Sequence, residues 1–154
     1  DDLFQLKLPV KSKEEYAAQL GSDCAFFVKN ISAQAKGRGE LLSDIQLDLS
    51  SYYILLINPG IHISTQEAYG GVSPRMRSSE VVDFIFNNIS EWKGVLKNEF
   101  EESVIPKYPE IKDLKDKLYA SMTGSGSTTF GIFKEEPAVD WINEGYFVWK
   151  GKLS

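Results

Sequence analysis

The sequence predicts an α+β fold, in which an antiparallel sheet in the ferredoxin-like split βαβ arrangement carries helices on one face. A β-rich apolar run at residues 52–57, ended by Asn58, Pro59 and Gly60, is typical of a buried central strand. The elements that follow are predicted in the order helices, strand, strand, helix, strand. That order is the one that a split βαβ sheet requires.

The helices of this predicted domain follow from two apolar stripes at helical spacing. Their members are Val81, Val82, Ile85, Phe86 and Ile89, extended by Trp92, Val95 and Leu96, and then Ile111, Leu114 and Leu118 after two prolines. Strands are predicted at residues 120–122, 128–133 and 146–149, with a glycine turn at residues 123–127. Pro137, a favoured first helical residue, predicts a helix that runs to Asn143.

The first third of the chain predicts a separate, smaller group of elements. These are a helix from about Lys13 to Leu20, a second helix at residues 24–28 that Ser22 and Asp23 could cap, and a strand at residues 33–36. Residues 37–40 (GRGE) then break the pattern, and residues 41–51 lack a clean period. We therefore expect two parts, residues 1–48 and residues 49–154.

Composition excludes several classes of function. The 154 residues contain no apolar run of 18, and 22 acidic against 17 basic side chains give a net charge of −5, which disfavours a membrane span and a nucleic-acid partner. A single cysteine and a single histidine exclude an internal disulfide and a Cys-rich or multi-histidine metal site. Oxygen-ligand metals such as Mg²⁺ remain open. With no visible secretion leader, a cytoplasmic location is expected.

Three features could carry chemistry, and each has a plainer structural alternative. Gly124, Ser125 and Gly126 could expose successive N–H groups that bind phosphate oxygens, or they could merely reverse the chain. Asp23 could accept a hydroxyl proton, or it could cap a helix. Tyr69 follows the predicted central strand, so its ring is either a stacking platform for a ligand ring or part of the packing of its own loop.

Taken together, these segments resemble one family. The segments are residues 20–27 (LGSDCAFF), 37–40 (GRGE), 58–65 (NPGIHIST) with Tyr69, and 123–126 (TGSG), and residues 108–111 (YPEI) add a further match. In order and approximate spacing they are similar to the C-terminal portion of the GHMP small-molecule kinases. The resemblance covers nearly the whole chain. Cys24 and Ala25, where many relatives have an apolar residue and a proline, are departures beside a preserved Asp23.

The resemblance implies a function and a set of site residues. It implies phosphoryl transfer from ATP, with Mg²⁺, to a secondary hydroxyl of a cytidine diphosphate derivative in the non-mevalonate route to isoprenoid precursors. Asp23 matches the catalytic aspartate of the family. Thr65 and Tyr69 match the substrate loop, together with the neighbouring Ser64 and His62, and the Tyr69 ring is expected near the cytosine. Gly124, Ser125 and Gly126 match a glycine loop beside the phosphates, and no metal ligand is assigned.

The family's ATP-binding loop, of the form P-x-x-x-G-L-G-G-G-S-S, does not occur between Asp1 and Ser154. The resemblance therefore implies that residues 1–48 are the end of an N-terminal kinase domain, that the rest of that domain is a missing partner, and that the chain alone is inactive. A free-standing ferredoxin-like module that binds a small ligand without catalysis is the alternative. It explains the predicted topology and the glycine loop, but not the motifs around Asp23 and Tyr69.

Overall fold

The structure is a computed structural model that describes residues 4–73, 81–93, 95–118 and 121–154. It divides into two compact units, Asp1–Leu47 and Asp48–Ser154.

The first unit contains two helices and a β-hairpin. Its elements are helix α1 (Val10–Leu20), a 3-10 turn (Ser22–Ala25), helix α2 (Phe26–Lys29), and strands β1 (Ala33–Lys36) and β2 (Leu41–Asp44), which pair antiparallel. The prediction of β1 is confirmed, whereas β2 was not predicted because its exposed residues show no alternation. The predicted capping by Ser22 and Asp23 is wrong, since Gly21 precedes the 3-10 turn, Ala25 precedes α2, and neither element has a side-chain cap bond.

The second unit is built on a four-stranded sheet. Its strands are β3 (Tyr53–Asn58), β4 (Ser121–Met122), β5 (Thr129–Phe133) and β6 (Phe147–Lys152), in the spatial order β4-β5-β3-β6 with antiparallel neighbours. Because β5 runs antiparallel to both β3 and β4, those two strands are parallel to each other with β5 inserted between them. The predicted split βαβ arrangement is confirmed for the described strands. Ala120 of the predicted second strand lies outside the described residues.

The segment between β3 and β4 carries the helices of this unit. They are α3 (Thr65–Gly70), α4 (Val82–Ile85), α5 (Ile89–Trp92), α6 (Glu101–Val104) and α7 (Pro109–Leu118). The first predicted apolar stripe is divided between short helices, because Asn88 accepts a hydrogen bond from the Ser90 N–H and starts α5 anew. Glu80, where the stripe was predicted to start, lies outside the described residues.

Two apolar clusters join the helices to the sheet. Leu55 and Ile57 on β3 pack with Leu114 and Leu118 of α7, and a second cluster contains Ile63, Ala68, Val104, Ile111 and Met122. In β3, these two buried residues alternate with partly exposed ones, so one face of the strand meets the helix. This agrees with the prediction that the helices lie on one face.

The predicted helix from Pro137 to Asn143 is wrong. Within this segment the structure has two tight turns, closed by hydrogen bonds from the Ile142 N–H to the Val139 carbonyl and from the Tyr146 N–H to the Asn143 carbonyl. The segment leads from β5 to β6, which flank β3 on opposite sides. Along this path Val139, Ile142 and Tyr146 all pack against the cluster around Leu55, so tertiary packing outweighs the start signal of the proline.

Candidate active site

The loop after β3, residues 58–70, is hereafter the substrate loop. Its first turn is fixed by Asn58, whose Oδ1 accepts the Gly60 N–H at 2.7 Å, and Gly60 adopts the positive φ of 76° that glycine tolerates best. The buried side chain of Ile63 anchors the middle of the loop. Ser64 then caps α3 by accepting the Glu67 N–H at 3.1 Å.

The predicted substrate-binding residues lie at the surface of this loop. His62, Ser64, Thr65 and Tyr69 are all exposed, and the Tyr69 side chain is 65% accessible. Thr65 and Tyr69 are four residues apart on α3 and therefore share one helix face. The edge of the Tyr69 ring meets Phe100, with ring centroids 4.8 Å apart and an interplanar angle of 73°, which leaves most of the ring open to a ligand.

The turn between β4 and β5, residues 123–127, is hereafter the glycine loop. It is closed by hydrogen bonds from the Gly126 N–H to the Thr123 carbonyl and from the Thr123 N–H to the Thr128 carbonyl. Within the described residues, the N–H groups of Gly124 and Ser125 have no partner. The segment therefore reverses the chain, as its plainer interpretation requires, and also offers two consecutive donors to an anion.

Gly126 allows the two loops to approach each other. A Cβ atom at this position would lie 2.6 Å from the Met122 Sδ and 3.0 Å from the Ile63 Cδ1, and its φ is +94°. Ser127 Oγ donates to the Ile61 carbonyl at 2.6 Å, and Asn58 Nδ2 donates to Thr128 Oγ1 at 2.8 Å. The substrate loop and the glycine loop are thus in direct contact, as a site that holds one ligand between them requires.

Sequence reasoning missed a third segment, residues 98–103. Asn98 Nδ2 donates to the Met122 and Gly124 carbonyls at 2.7 Å each, and the Glu101 carboxylate accepts the Met122 N–H at 2.8 Å. Asn98 followed three residues later by Glu101 has the spacing of a helix-start signal. That signal locates α6, but it contains no information about contacts with residues more than twenty positions away.

Two side chains from the connection between α6 and α7 hold α3 in place. Glu67 accepts hydrogen bonds from Lys107 Nζ and from the Tyr108 hydroxyl, each at 3.1 Å. The bond from Lys107, followed by that from Tyr108, lowers the pKa of the Glu67 carboxyl. The same contact with Glu67 raises the pKa of the Tyr108 hydroxyl. Glu67 is therefore held as a carboxylate, which fixes the helix that carries Tyr69.

Asp23 belongs to the first unit. It is an exposed residue of the 3-10 turn, and within the described residues its carboxylate makes no hydrogen bond. A Cβ atom on Gly39 would lie 2.9 Å from its Oδ1, so the glycine at position 39, where φ is +113°, leaves room for the carboxylate. The cap role considered for Asp23 is not observed, and its catalytic role remains a prediction.

The described residues contain no group of three or more His, Cys, Asp and Glu side chains that could hold a metal ion. The glycine loop, with its two unengaged N–H groups, does fit a phosphate group. No helix within the described ranges is long and apolar enough to cross a membrane.

The second unit matches a known family of domains. Residues 84–143 match the family GHMP kinases C terminal. The second unit therefore has the fold of the GHMP kinase C-terminal domain, and the resemblance predicted from the motifs is confirmed.

Curated proteins similar to this chain share one name. The chain is 42% identical to the 4-diphosphocytidyl-2-C-methyl-D-erythritol kinase of Bacteroides thetaiotaomicron, over 97% of this chain and 58% of the relative. It is 44% identical to the kinase of the same name from Cytophaga hutchinsonii, over 89% of this chain and 53% of the relative. The chain thus spans little more than half the length of these relatives.

A solved structure gives the same indication of fold. The crystal structure of a 4-(cytidine 5'-diphospho)-2C-methyl-D-erythritol kinase matches with a TM-score of 0.68 at 24% identity, over 84% of this chain and 50% of that chain. At this level of identity the match supports the shared fold.

Proposed function

We propose that this chain is the C-terminal part of a kinase that transfers the γ-phosphoryl group of ATP to the 2-hydroxyl of 4-diphosphocytidyl-2-C-methyl-D-erythritol. The observation that carries the proposal is the contact between the substrate loop and the glycine loop. One offers an exposed aromatic ring and the other two unengaged N–H groups, which suits a ligand that has a flat base and phosphates.

The proposed roles follow from the chemistry of phosphoryl transfer. The substrate hydroxyl oxygen bonds to the γ-phosphorus, the bond from that phosphorus to the oxygen of the leaving ADP breaks, and the hydroxyl proton passes to a base. Asp23 is the proposed base, since its exposed carboxylate has no partner within the described residues. Tyr69, with Thr65, Ser64 and His62, holds the cytidine end, and the glycine loop lies against a phosphate.

ATP complexed with Mg²⁺ supplies the transferred group and neutralises charge on the phosphates. Because the ATP-binding segment of the family lies outside this sequence, the proposal includes an N-terminal kinase domain as a partner. It also includes a cytoplasmic location, where ATP is available, in keeping with a lone exposed thiol at Cys24.

The test uses Asp23→Asn in the protein extended upstream by the segment that its relatives possess. We expect the rate at saturating substrate to fall by a factor of about 100 or more, because loss of a positioned base removes that much acceleration. Titration with cytidine diphosphate should show unchanged affinity. Asp44→Asn is the matched control, since Asp44 is an exposed aspartate of the same unit that pairs with Lys29 at 3.1 Å.

The control should turn over at the parent rate. A rate for Asp23→Asn equal to that of Asp44→Asn would refute the role of Asp23. An extended parent protein with no turnover on the cytidine substrate would refute the proposed function itself.

A further inference from the structure

Residues 98–103, hereafter the bracket segment, are in contact with both loops of the candidate site. From one side of this short segment Asn98 and Glu101 reach the glycine loop and the strand before it. Phe100 and Ser103 reach the substrate loop. No role is assigned to the segment by the proposed function above.

Asn98 uses its whole side-chain amide at this position. Its two N–H hydrogens go to two carbonyls, those of Met122 and Gly124, each at 2.7 Å. Its Oδ1 accepts the Phe100 N–H at 3.0 Å. Exchange of the amide oxygen and nitrogen would place an acceptor against two carbonyl oxygens, so the hydrogen bonds themselves fix the orientation of the amide. The bond to Gly124 holds the residue next to the unengaged N–H of Ser125.

Glu101 secures the same strand from within the core. Only 6% of this residue is accessible, and its carboxylate accepts hydrogen bonds from Ser121 Oγ at 2.9 Å and from the Met122 N–H at 2.8 Å. Lys115 of α7 supplies the opposite charge to the other carboxylate oxygen. A buried carboxylate with three donors has one favourable geometry, which restricts where the strand before the glycine loop can lie.

The opposite side of the bracket segment meets α3. Ser103 Oγ lies 3.0 Å from the Ala68 carbonyl in a buried contact, and the Phe100 ring meets the edge of Tyr69. A Cβ atom on Gly71 would overlap the Cβ of Ser103, so the end of α3 rests directly on the segment. The position of Tyr69 is thus set by the same six residues that hold Gly124.

We propose that the bracket segment fixes the spacing between the phosphate-facing and base-facing parts of the site, with Asn98 as a positioning residue for the glycine loop. The proposal rests on the proposed kinase function. The cytosine and the reacting 2-hydroxyl belong to one substrate molecule, so the parts of the site that hold its two ends must keep a matching distance. A misplacement of about 1 Å can cost on the order of 100-fold in rate. Because the bracket segment contacts both loops, it restricts their movement relative to each other before substrate binds.

The test compares Asn98→Asp with Asn88→Asp. Aspartate at position 98 can still accept the Phe100 N–H, but it cannot donate to the Met122 and Gly124 carbonyls. Asn88 is a matched control, because its Oδ1 caps α5 by accepting the Ser90 N–H at 3.1 Å in the same manner. In the extended protein, we expect kcat of Asn98→Asp to fall about 10 to 100-fold with KM for the cytidine substrate within about twofold. Asn88→Asp should leave both constants at the parent values.

Amide hydrogen exchange on this chain provides a readout that does not depend on activity. Asn98→Asp should speed exchange of the hydrogen-bonded Thr123 and Gly126 N–H groups by about tenfold or more while exchange in β3 stays slow, and Asn88→Asp should leave both groups unchanged. Equal exchange in the two variants would overturn the proposal. If the extended parent protein is active, equal kcat values for Asn98→Asp and Asn88→Asp would also overturn it. An inactive parent would refute the kinase function, and the exchange comparison would still decide the role of Asn98.

Discussion

Tyr69 keeps its ring at the surface although an apolar neighbour is within reach. Its edge contact with Phe100 is worth about 0.5–1.5 kcal/mol, whereas stacking of a nucleobase on an aromatic side chain is worth roughly 1–3 kcal/mol. Nucleobase stacking, the stronger of these two interactions, can form only when a ligand is bound. Ligand binding and packing of the loop are thus two distinct explanations for the exposed ring, and substitution can separate them.

We expect Tyr69→Ala in the extended protein to weaken cytidine diphosphate binding by about 5 to 150-fold, since each 1.4 kcal/mol corresponds to a factor of ten. Tyr69→Phe should cost much less, because the ring remains. Tyr16→Ala is the control, since Tyr16 is an exposed tyrosine of α1. Calorimetric titration and thermal melts of all three variants provide the measurement. Loss of melting temperature in Tyr69→Ala with unchanged affinity would show that Tyr69 only packs its loop.

At the scale of elements, the anchoring of α3 depends on a charged group. The hydrogen bonds from Lys107 and Tyr108 lower the Glu67 pKa in the folded protein below its ordinary value of 4.5. A carboxyl with a depressed pKa stabilises the fold above its unfolded pKa, and this stabilisation is lost as the pH falls through the folded pKa. The anchoring of α3 should therefore weaken in acid.

Glu67→Gln tests this expectation. Near pH 6 it should lower the melting temperature by about a degree or two, as expected for a partly exposed ion pair, and near pH 3 it should match the parent. Asp116→Asn is the control, because the hydrogen bond from Lys112 also lowers the pKa of Asp116. Both variants should show the same pH trend, but only Glu67→Gln should speed amide exchange in α3. A melting-temperature difference for Glu67→Gln that persists at pH 3 would contradict the charge explanation.

The elements also show what the sequence could predict. β3 was predicted within one residue, and the predicted stripe of Ile111, Leu114 and Leu118 lies on α7, because a continuous apolar run and a clean helical stripe are local signals. The segment after Pro137 was mispredicted, because its conformation is set by packing on a cluster that contains Leu55 and Ile57 of β3. In the candidate site, motifs located both loops, whereas Asn98 escaped notice because its role depends on carbonyls 24 and 26 residues away.

For the whole molecule, the described residues supply only part of what phosphoryl transfer requires. The γ-phosphoryl group carries negative charge that must be neutralised in the transition state. The glycine loop offers two unengaged N–H groups, the chain has a net charge of −5, and the described residues hold no metal-binding cluster. Under the proposed function, Mg²⁺ bound to ATP and the ATP-binding segment of the family, whose motif does not occur in this sequence, are expected to supply the remaining positive charge.

We therefore expect no turnover from this chain alone with ATP, Mg²⁺ and the cytidine substrate. The upstream segment, joined to the chain or added to it as a separate polypeptide, should restore a rate on the order of 1 to 100 per second. Since the proposed function places the cytidine end at α3 of the second unit, the chain alone should still bind cytidine diphosphate, and Tyr69→Ala should weaken that binding. Turnover by the unextended chain at an ordinary kinase rate would contradict the expectation that the upstream ATP-binding segment is required for catalysis. If cytidine diphosphate binding requires the upstream segment, the cytosine is held by residues outside this chain.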